Sequence, residues 1–329
     1  MREFQHRFSA PRIGTLLLAA MLLCVPPVKA LPDDDDLDDL YRNGGSCTRT
    51  AVAAVRACKL QKQSEGWVKR GDCNNLADAA SRAGCEEKAE AAAEKAEDDC
   101  DEQFDARLSA CKTLGENPHD PKIDPAMFVN PADIGKSVQP NPYWPLNRGR
   151  VTIFRSSGET ITDTVTAETR EILGVQCAVV HNTVVNRAGV LIEDTVDWYA
   201  QDILGNVWYF GEIAQNFKGG YLANLNGSWV AGVDGAMAGI MMKALPARSV
   251  TYREELSLAV AEDSSEIISL TGSARVPAAL CEGDCLVTRN FTPLEPGAVT
   301  TKYYLRGVGV ILEVDAGTGD RKELVEIRN

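Results

Sequence analysis

The chain has 329 residues, and its 47 acidic side chains outnumber the 34 basic ones, for a formal net charge of −13. That excess excludes a nucleic-acid partner, whose phosphates need a basic footprint, and argues against adhesion to an anionic membrane. The length fits one large domain or two.

Residues 1–30 read as a signal peptide. Arg2, Arg7 and Arg12 lead into an apolar run from Ile13 to Val25, and Val28 and Ala30 place a signal-peptidase site before Leu31. The run is too short for a permanent anchor, and no later segment is apolar for long enough to span a bilayer. Cys24 follows Leu22 and Leu23, where a lipobox needs a small residue, so it is read as lost with the signal. Cleavage removes four Lys/Arg and one Glu and moves the charge to −16. The mature protein is therefore expected to be exported, periplasmic or secreted, where disulfides are permitted. Residues 31–45, with Asp33 to Asp36, Asp38 and Asp39, read as an acidic flexible segment rather than a calcium loop.

Residues 46–114 hold six cysteines and no proline. Taken from the outside in, the cysteine positions pair with one constant sum, 158, as an antiparallel arrangement in register requires. Spacings of 11 and 15 residues are near whole helical turns, so each trio lies close to one helix face. The prediction is a disulfide-stapled hairpin of two helices, 46–73 and 79–113, bridged Cys47–Cys111, Cys58–Cys100 and Cys73–Cys85. A disulfide brings helices closer than ordinary packing, and Ala51, Ala54, Ala89, Ala92 or Ala93, and Ala96 provide small side chains along the seam. Gly66 and Gly71 weaken the first helix, by about 1 kcal/mol each relative to Ala, and suggest a kink. Asn75 or Asp78 is placed to cap the second.

Residues 115–147 carry seven prolines from Pro118 to Pro145, which keep the segment out of regular structure. It reads as a packed connector pinned by Met127, Phe128 and Val129. Residues 148–329 read as an antiparallel β domain. TITDTVTAE (160–168), VLIEDTVDWYA (190–200) and NVWYFGEI (206–213) alternate as strands do, and Gln201 to Gly205 joins the last two as a hairpin. Further strands are expected near 150–155, 171–184, 249–260, 264–276, 284–291, 299–305, 308–314 and 322–328. The fold class is α+β, with the helical hairpin followed by a mostly antiparallel curved sheet or half-barrel whose concave face is apolar.

Several stretches resemble a family of exported bacterial proteins with no established activity. They are ARLSACKTLGE with HDPKIDPAMF, NPYWPL, LGVQCAVV, EDTVDWYAQD, GNVWYFGE, GSWVAGVDGAMAGIMM, TPLEPG and KYYLRGVGVILE, spread over most of residues 100–315. The family has an aromatic where His119 stands, a more acidic turn at Ile203-Leu204 and usually Pro at Met237. These departures count against a metal site at the Asp202 turn. The resemblance implies an exported α-plus-β protein and carries no catalytic residues.

The chemistry-bearing side chains are few. The cysteines lack CxxC pairs and CxxCH, so staples are preferred to zinc or haem, and no metal or cofactor is expected. Cys281-Glu-Gly-Asp-Cys285 reads as a local disulfide across a turn, leaving Cys177 as a buried small side chain in a strand. The mature chain has only His119 and His181, which disfavours a histidine-based hydrolase. GVDGAMAG (232–239) lacks the Lys-Ser/Thr of a phosphate loop and reads as a long hairpin loop or lid. Carboxylates beside aromatics are the remaining lead. Asp194, Asp197 and Glu212 are weak catalytic candidates, and Trp198, Trp208, Phe210 and Trp229 are ligand-binding candidates. The alternation groups Asp194 with Val190, Ile192, Val196 and Trp198 on one apolar face, where it is either an acid of raised pKa or bonded to a neighbouring strand.

Three functions fit these residues. The first is a non-enzymatic binding or interaction protein, its β domain holding a small apolar or amphiphilic ligand or meeting an envelope partner. The second is a carboxylate-dependent hydrolase acting on glycans. The third is a structural cell-envelope protein.

Overall fold

The computed structural model describes residues 34–328. The signal peptide expected at 1–30 lies outside the described residues. Three helices come first: α1 (Asp34–Asn43), α2 (Ser46–Asn74) and α3 (Ala79–Leu114). Residues 34–43 are thus helical, not a flexible tail as expected for 31–45. Leu37 is the reason, because it is buried against Ala51, Val52, Val55 and Phe104, and Asp38 ion-pairs with Arg56.

α2 and α3 form the hairpin, turning at residues 75–78, where Asp78 accepts from the Ser81 N–H and caps α3. Cys47–Cys111, Cys58–Cys100 and Cys73–Cys85 are bonded, with Cα atoms 5.5–5.9 Å apart. α2 continues unbroken through Gly66, which faces Ala93 at the seam and gives the two backbones room to approach. Between residues 59 and 99 only Cys73 is buried. The outer half of the hairpin is therefore a stapled arm without a core, and each staple adds roughly 2–4 kcal/mol.

The arm's base is fixed to the β domain. Arg107, 5% exposed, grips the carboxylate of Glu262 through three contacts of 2.8–3.2 Å, Gln103 donates to the Leu294 carbonyl, and Arg253 donates to Cys47 Sγ. The connector then makes two short 3-10 turns, Pro125–Met127 and Pro131–Asp133, capped by Asp124 and Asn130. Phe128 packs edge-on against Trp208 and Phe210, whereas the exposed Met127 is tied to the β domain through its carbonyl, which accepts from the Ile203 N–H.

Fifteen strands follow: β1 (Val151–Arg155), β2 (Glu159–Ile172), β3 (Val175–Asn186), β4 (Leu191–Gln201), β5 (Val207–Lys218), β6 (Tyr221–Asn224), β7 (Trp229–Val230) and β8 (Met237–Met242). Then come β9 (Thr251–Arg253), β10 (Glu255–Leu256), β11 (Ser264–Val276), β12 (Ala279–Phe291), β13 (Val299–Leu305), β14 (Gly309–Asp315) and β15 (Arg321–Arg328). All neighbours pair antiparallel in the order β10-β8-β5-β4-β3-β2-β1-β15-β14-β13-β12-β11-β9, with β6 and β7 added on β5. The two ends of this path, β10 and β9, are joined in sequence through Glu254 alone, so the sheet curls until it nearly closes. Gly239 stands at the closure. A Cβ there would lie 2.4 Å from the Glu254 carbonyl oxygen and 2.6 Å from that of Arg253, so only glycine admits the approach. Residues 231–236 form the loop that the glycine-rich stretch suggested, and Met237–Met242 is a strand of the wall rather than part of a lid.

The barrel is covered at several points. The connector runs over it, with the Gly307 N–H bonded to the Pro142 carbonyl and Gly309 against Pro145. The β11–β12 hairpin folds back so that the Ala278 N–H meets the Leu324 carbonyl, and Cys281–Cys285, which is bonded, packs with Phe154, Val184 and Leu324. Cys177 is a buried free thiol whose pKa burial pushes up to about 12, so it stays protonated and inert.

Candidate functional site

The barrel encloses a cavity of about 350 Å³. Strand alternation sets its wall. From β4 it takes Glu193, Thr195, Asp197 and Tyr199 in steps of two, and from β3 Val180 and Asn182. From β5 it takes Tyr209 and Glu212, three residues apart. An extra residue explains that spacing: Trp198 pairs with Gly211 while Tyr199 pairs with Tyr209, so Phe210 has no partner in the ladder. Gly211 takes φ 134° there, and a Cβ on it would strike the Trp229 carbonyl at 2.3 Å. The opposite wall contributes Lys302 of β13, Glu313 of β14 and Lys322 of β15, which are successive cross-strand partners. Trp144 and Leu146 of the connector complete the lining.

The lining is charged where an apolar one was expected. Asp163, Glu193, Asp197, Glu212, Glu254, Asp263 and Glu313 face Lys302, Lys322 and Arg150. The bases are engaged on one side. Lys322 pairs with Glu313 at 3.3 Å, and Arg150 donates to the Val308 carbonyl. Burial pushes Glu313 up, but Lys322 and Lys302 outweigh it and leave its pKa below the ordinary value. Burial likewise opposes the charge on Lys302, and Glu313, Glu254 and Asp263 more than restore it.

On the other side Asp197 and Glu212 have no basic counterpart. Asp197 and Glu212 are directly opposed across β4 and β5, which puts their Cβ atoms about 4.5–5.5 Å apart. Asp197 accepts from the Tyr209 hydroxyl at 2.6 Å and from Tyr199 at 3.4 Å. Burial pushes its pKa up to about 7, the tyrosines hold it back, and Asp163 and Glu193 add to the rise. Glu212 is pushed up to about 8, first by burial and then by Asp197. Glu254 reaches about 7, mainly through burial, against the opposing charge of Lys302 and a hydrogen bond from Asn290. Tyr199 and Tyr209 stack at 4.6 Å beside this acid pair, Trp144 leans on Tyr199 at 5.6 Å, and Trp229 meets Tyr209 edge-on. A wall of aromatic faces and uncompensated carboxylates attracts a positively charged group.

The sequence candidates separate on this geometry. Asp197 and Glu212 line the cavity. Asp194 does not. It lies on the other face of β4 with Ile192, Val196 and Trp198 and bonds His181 Nε2 on β3 at 2.5 Å, so of its two expected states the bond to a neighbouring strand is the one formed. None of the four aromatics expected at a ligand site lines the cavity. Trp198 lies under the guanidinium of Arg170 at 3.9 Å. Trp208 donates to Asp202 at 3.0 Å, and Phe210 is sealed beneath Phe128. Trp229 only braces Tyr209 from behind. Tyr199, Glu193, Asp163 and the Lys302–Glu313–Lys322 ladder escaped the sequence reading. For β4 the signal was present, as the odd-numbered alternation from Glu193 to Tyr199. For β5 the bulge erased it. The Asp202 side chain is taken up by the Leu204 and Asn206 N–H groups and Trp208. Among the described residues no group of three or more His, Cys, Asp and Glu is placed to hold a metal ion.

No family model and no curated protein matches the chain. Solved structures similar to it include a designated exported protein of YmcC-like fold from Bacteroides fragilis, 14% identical, with a TM-score of 0.33 over 55% of this chain and 96% of that one. A designated lipoprotein from Parabacteroides distasonis is 12% identical, with a TM-score of 0.33 over 58% of this chain and 100% of that one. Likeness at this level says nothing of ligand or activity.

Proposed function

We propose that this is an exported, non-enzymatic binding protein whose barrel takes up a small organic cation, such as an amine. The observation that carries the reading is the opposed pair of buried Asp197 and half-buried Glu212, beside stacked tyrosines and with no lysine or arginine among the groups that shift them. Burying uncompensated acids is unfavourable unless something neutralises them, and a proton or a cationic ligand does so. An apolar ligand fits this wall poorly, because it would strand the charged groups without partners. Export is supported by the signal-like first thirty residues and by four disulfides. No helix among the described residues is long and apolar enough to cross a membrane.

The test is calorimetric titration of the disulfide-intact protein with 1,4-diaminobutane, choline and, as an uncharged control, 1,4-butanediol. Binding of an amine is expected to strengthen from pH 5 to pH 8.5, as the two acids ionise, and to weaken at least tenfold in Asp197→Asn and Glu212→Gln, about 1.4 kcal/mol. Equal heats for the diol, or binding unchanged in both variants, would remove the reading.

The same pair supports a second reading, a carboxylate-dependent hydrolase acting on glycans, because one acid protonated near neutrality beside another is a general acid–base arrangement. A cavity of about 350 Å³ suits at most a short sugar. Release of reducing ends from oligosaccharides, lost in Asp197→Asn, would favour it over binding. If neither amine nor sugar engages the cavity, a structural envelope role is left.

A further inference from the structure

A second cavity, of about 690 Å³, lies outside the barrel where three parts of the chain meet. The base of the arm supplies Cys47 and Leu114, the connector supplies His119, and the outer face of the barrel supplies Trp208, Ile240 and Arg253. Its volume falls in the range of about 300–1,000 Å³ usual for small-molecule sites, which favour such junctions. Strand alternation keeps it apart from the barrel cavity. Tyr209, Met241 and Glu254 face inward, and their chain neighbours Trp208, Ile240 and Arg253 face outward, so the two linings share no residue.

The chemistry is that of an apolar cleft with one cation. Arg253 is half-buried, and its side chain has a single polar contact among the described residues, the Cys47 sulfur at 3.6 Å. A sulfur is a weak acceptor. The carboxylate whose charge reaches Arg253 is that of Glu262, and Arg107 already holds it through three contacts of 2.8–3.2 Å. One acid thus serves two guanidinium groups and leaves one positive charge over. Burial opposes that charge and lowers the Arg253 pKa, yet arginine keeps its proton in proteins. His119 adds no second charge. Its Nε2 meets the Ala238 carbonyl at 3.0 Å, and burial, reinforced by Arg253, lowers its pKa against that bond and against Asp120. Asp234, the one acid of the lining, is exposed, and the charges that act on Arg253 are those of Glu262 and Arg107 alone. Leu114, Trp208, Ile240 and Leu258 give the cleft its apolar wall.

We propose that this junction is a second binding site, for a small amphiphilic anion. The ligand is a carboxylate on an apolar body, with its head on Arg253 and its body along Leu114, Trp208 and Ile240. A carboxylate gives the guanidinium the partner it lacks, through the two-pronged bond that arginine makes. An amine or a neutral molecule leaves the charge uncompensated. The site uses none of the residues that carry the amine reading, so either can fail without the other.

Calorimetric titration of the disulfide-intact protein with octanoate near neutral pH tests it. The controls are 1-octanol, which has the body without the charge, and acetate, which has the charge without the body. Octanoate is expected to bind at least tenfold more tightly than either, and equally well with 1,4-diaminobutane in excess. R253Q is expected to weaken it at least tenfold, and R253K by less, since lysine keeps the charge and loses the fork. Leu258 is 41% exposed, so L258E spares the fold while setting a competing carboxylate in the cleft, and is expected to weaken binding severalfold. Near-ultraviolet circular dichroism checks that each variant keeps its barrel. Should R253Q lose that spectrum, L258E decides alone, and binding indifferent to it overturns the proposal. So does the absence of octanoate binding, 1-octanol bound as tightly, displacement by 1,4-diaminobutane, or binding unchanged in a folded R253Q.

Discussion

The arm and the barrel hold carboxylates in opposite ways. Along α3, Glu86, Glu87, Glu90, Glu94, Glu97, Asp98 and Asp99 stand in water, where their charge is screened and costs little. Inside the barrel, Asp197, Glu212 and Glu254 are enclosed, and burial drives their pKa values to about 7, 8 and 7. The arm lacks a core and is stabilised by covalent staples. The barrel has a core and a tight closure, stable enough to tolerate charged groups facing its cavity. Acids in the arm are hydrated and carry no burial cost. Acids in the cavity are a standing destabilisation, and sites of that kind are where function is sought.

Reduction breaks the comparison most sharply. With its three staples open, the outer arm has only Cys73 buried between residues 59 and 99, and each staple had supplied about 2–4 kcal/mol. Mild reductant is expected to abolish most of the helical signal at 222 nm and expose Lys62, Lys69 and Lys88 to trypsin, while the near-ultraviolet spectrum of the barrel persists. Simultaneous loss of both signals would show that the barrel leans on the arm rather than merely carrying it.

The converse experiment strikes the barrel alone. In Gly239→Ala the new methyl meets the Glu254 backbone at 2.4–2.5 Å, and backbone on both sides cannot simply turn away. A loss of about 2–3 kcal/mol is expected by urea denaturation, with the arm's helical signal unchanged below the transition. A neutral outcome would mean that β8 and the β9–β10 corner separate freely and the barrel is open at that seam.

The two regions also differ in how much of them the sequence discloses. The cysteine positions encode the hairpin completely, because an antiparallel register leaves an arithmetic trace. The β domain was legible as strands, but its inside was not. Period-two alternation says that two faces differ and does not say which face encloses the cavity. Here the connector covers the outer wall, so Phe210 and Trp208 lie under Phe128, and polar Thr195, Asp197 and Asn182 turn inward. A reading that sends Trp198, Trp208 and Phe210 to the barrel's ligand mistakes the outer wall for the inner one. The bulge at Phe210 and Gly211 then separates Tyr209 from Glu212 by three, a spacing that no alternation predicts. α1 was missed because Leu37 and Leu40 are the only apolar anchors that its acidic sequence sets against the hairpin.

The smallest effect is the most informative about the cavity. An acid whose pKa is raised by folding gives its full stability below the pKa of the unfolded chain, near 4, and loses it as pH climbs through the folded value. For Asp197 and Glu212 that window runs from about 4 to about 8. The unliganded protein is therefore expected to unfold at progressively lower temperature from pH 5 to pH 8.5. Glu313, whose pKa lysines depress, acts with the opposite sign, but at pH below the window, so it does not mask the trend. In Asp197→Asn with Glu212→Gln the slope is expected to flatten by about 1–3 kcal/mol across the window, since a tenfold change in proton affinity is worth about 1.4 kcal/mol and mutually coupled acids share part of it. Asn still accepts from the Tyr209 hydroxyl, so the variant isolates the charge from the packing. What remains of the slope belongs to Glu254 and its neighbours. A wild-type stability flat between pH 5 and pH 8.5 would mean that the cavity acids are as freely hydrated as those of α3, and the contrast between the two regions would reduce to one of shape.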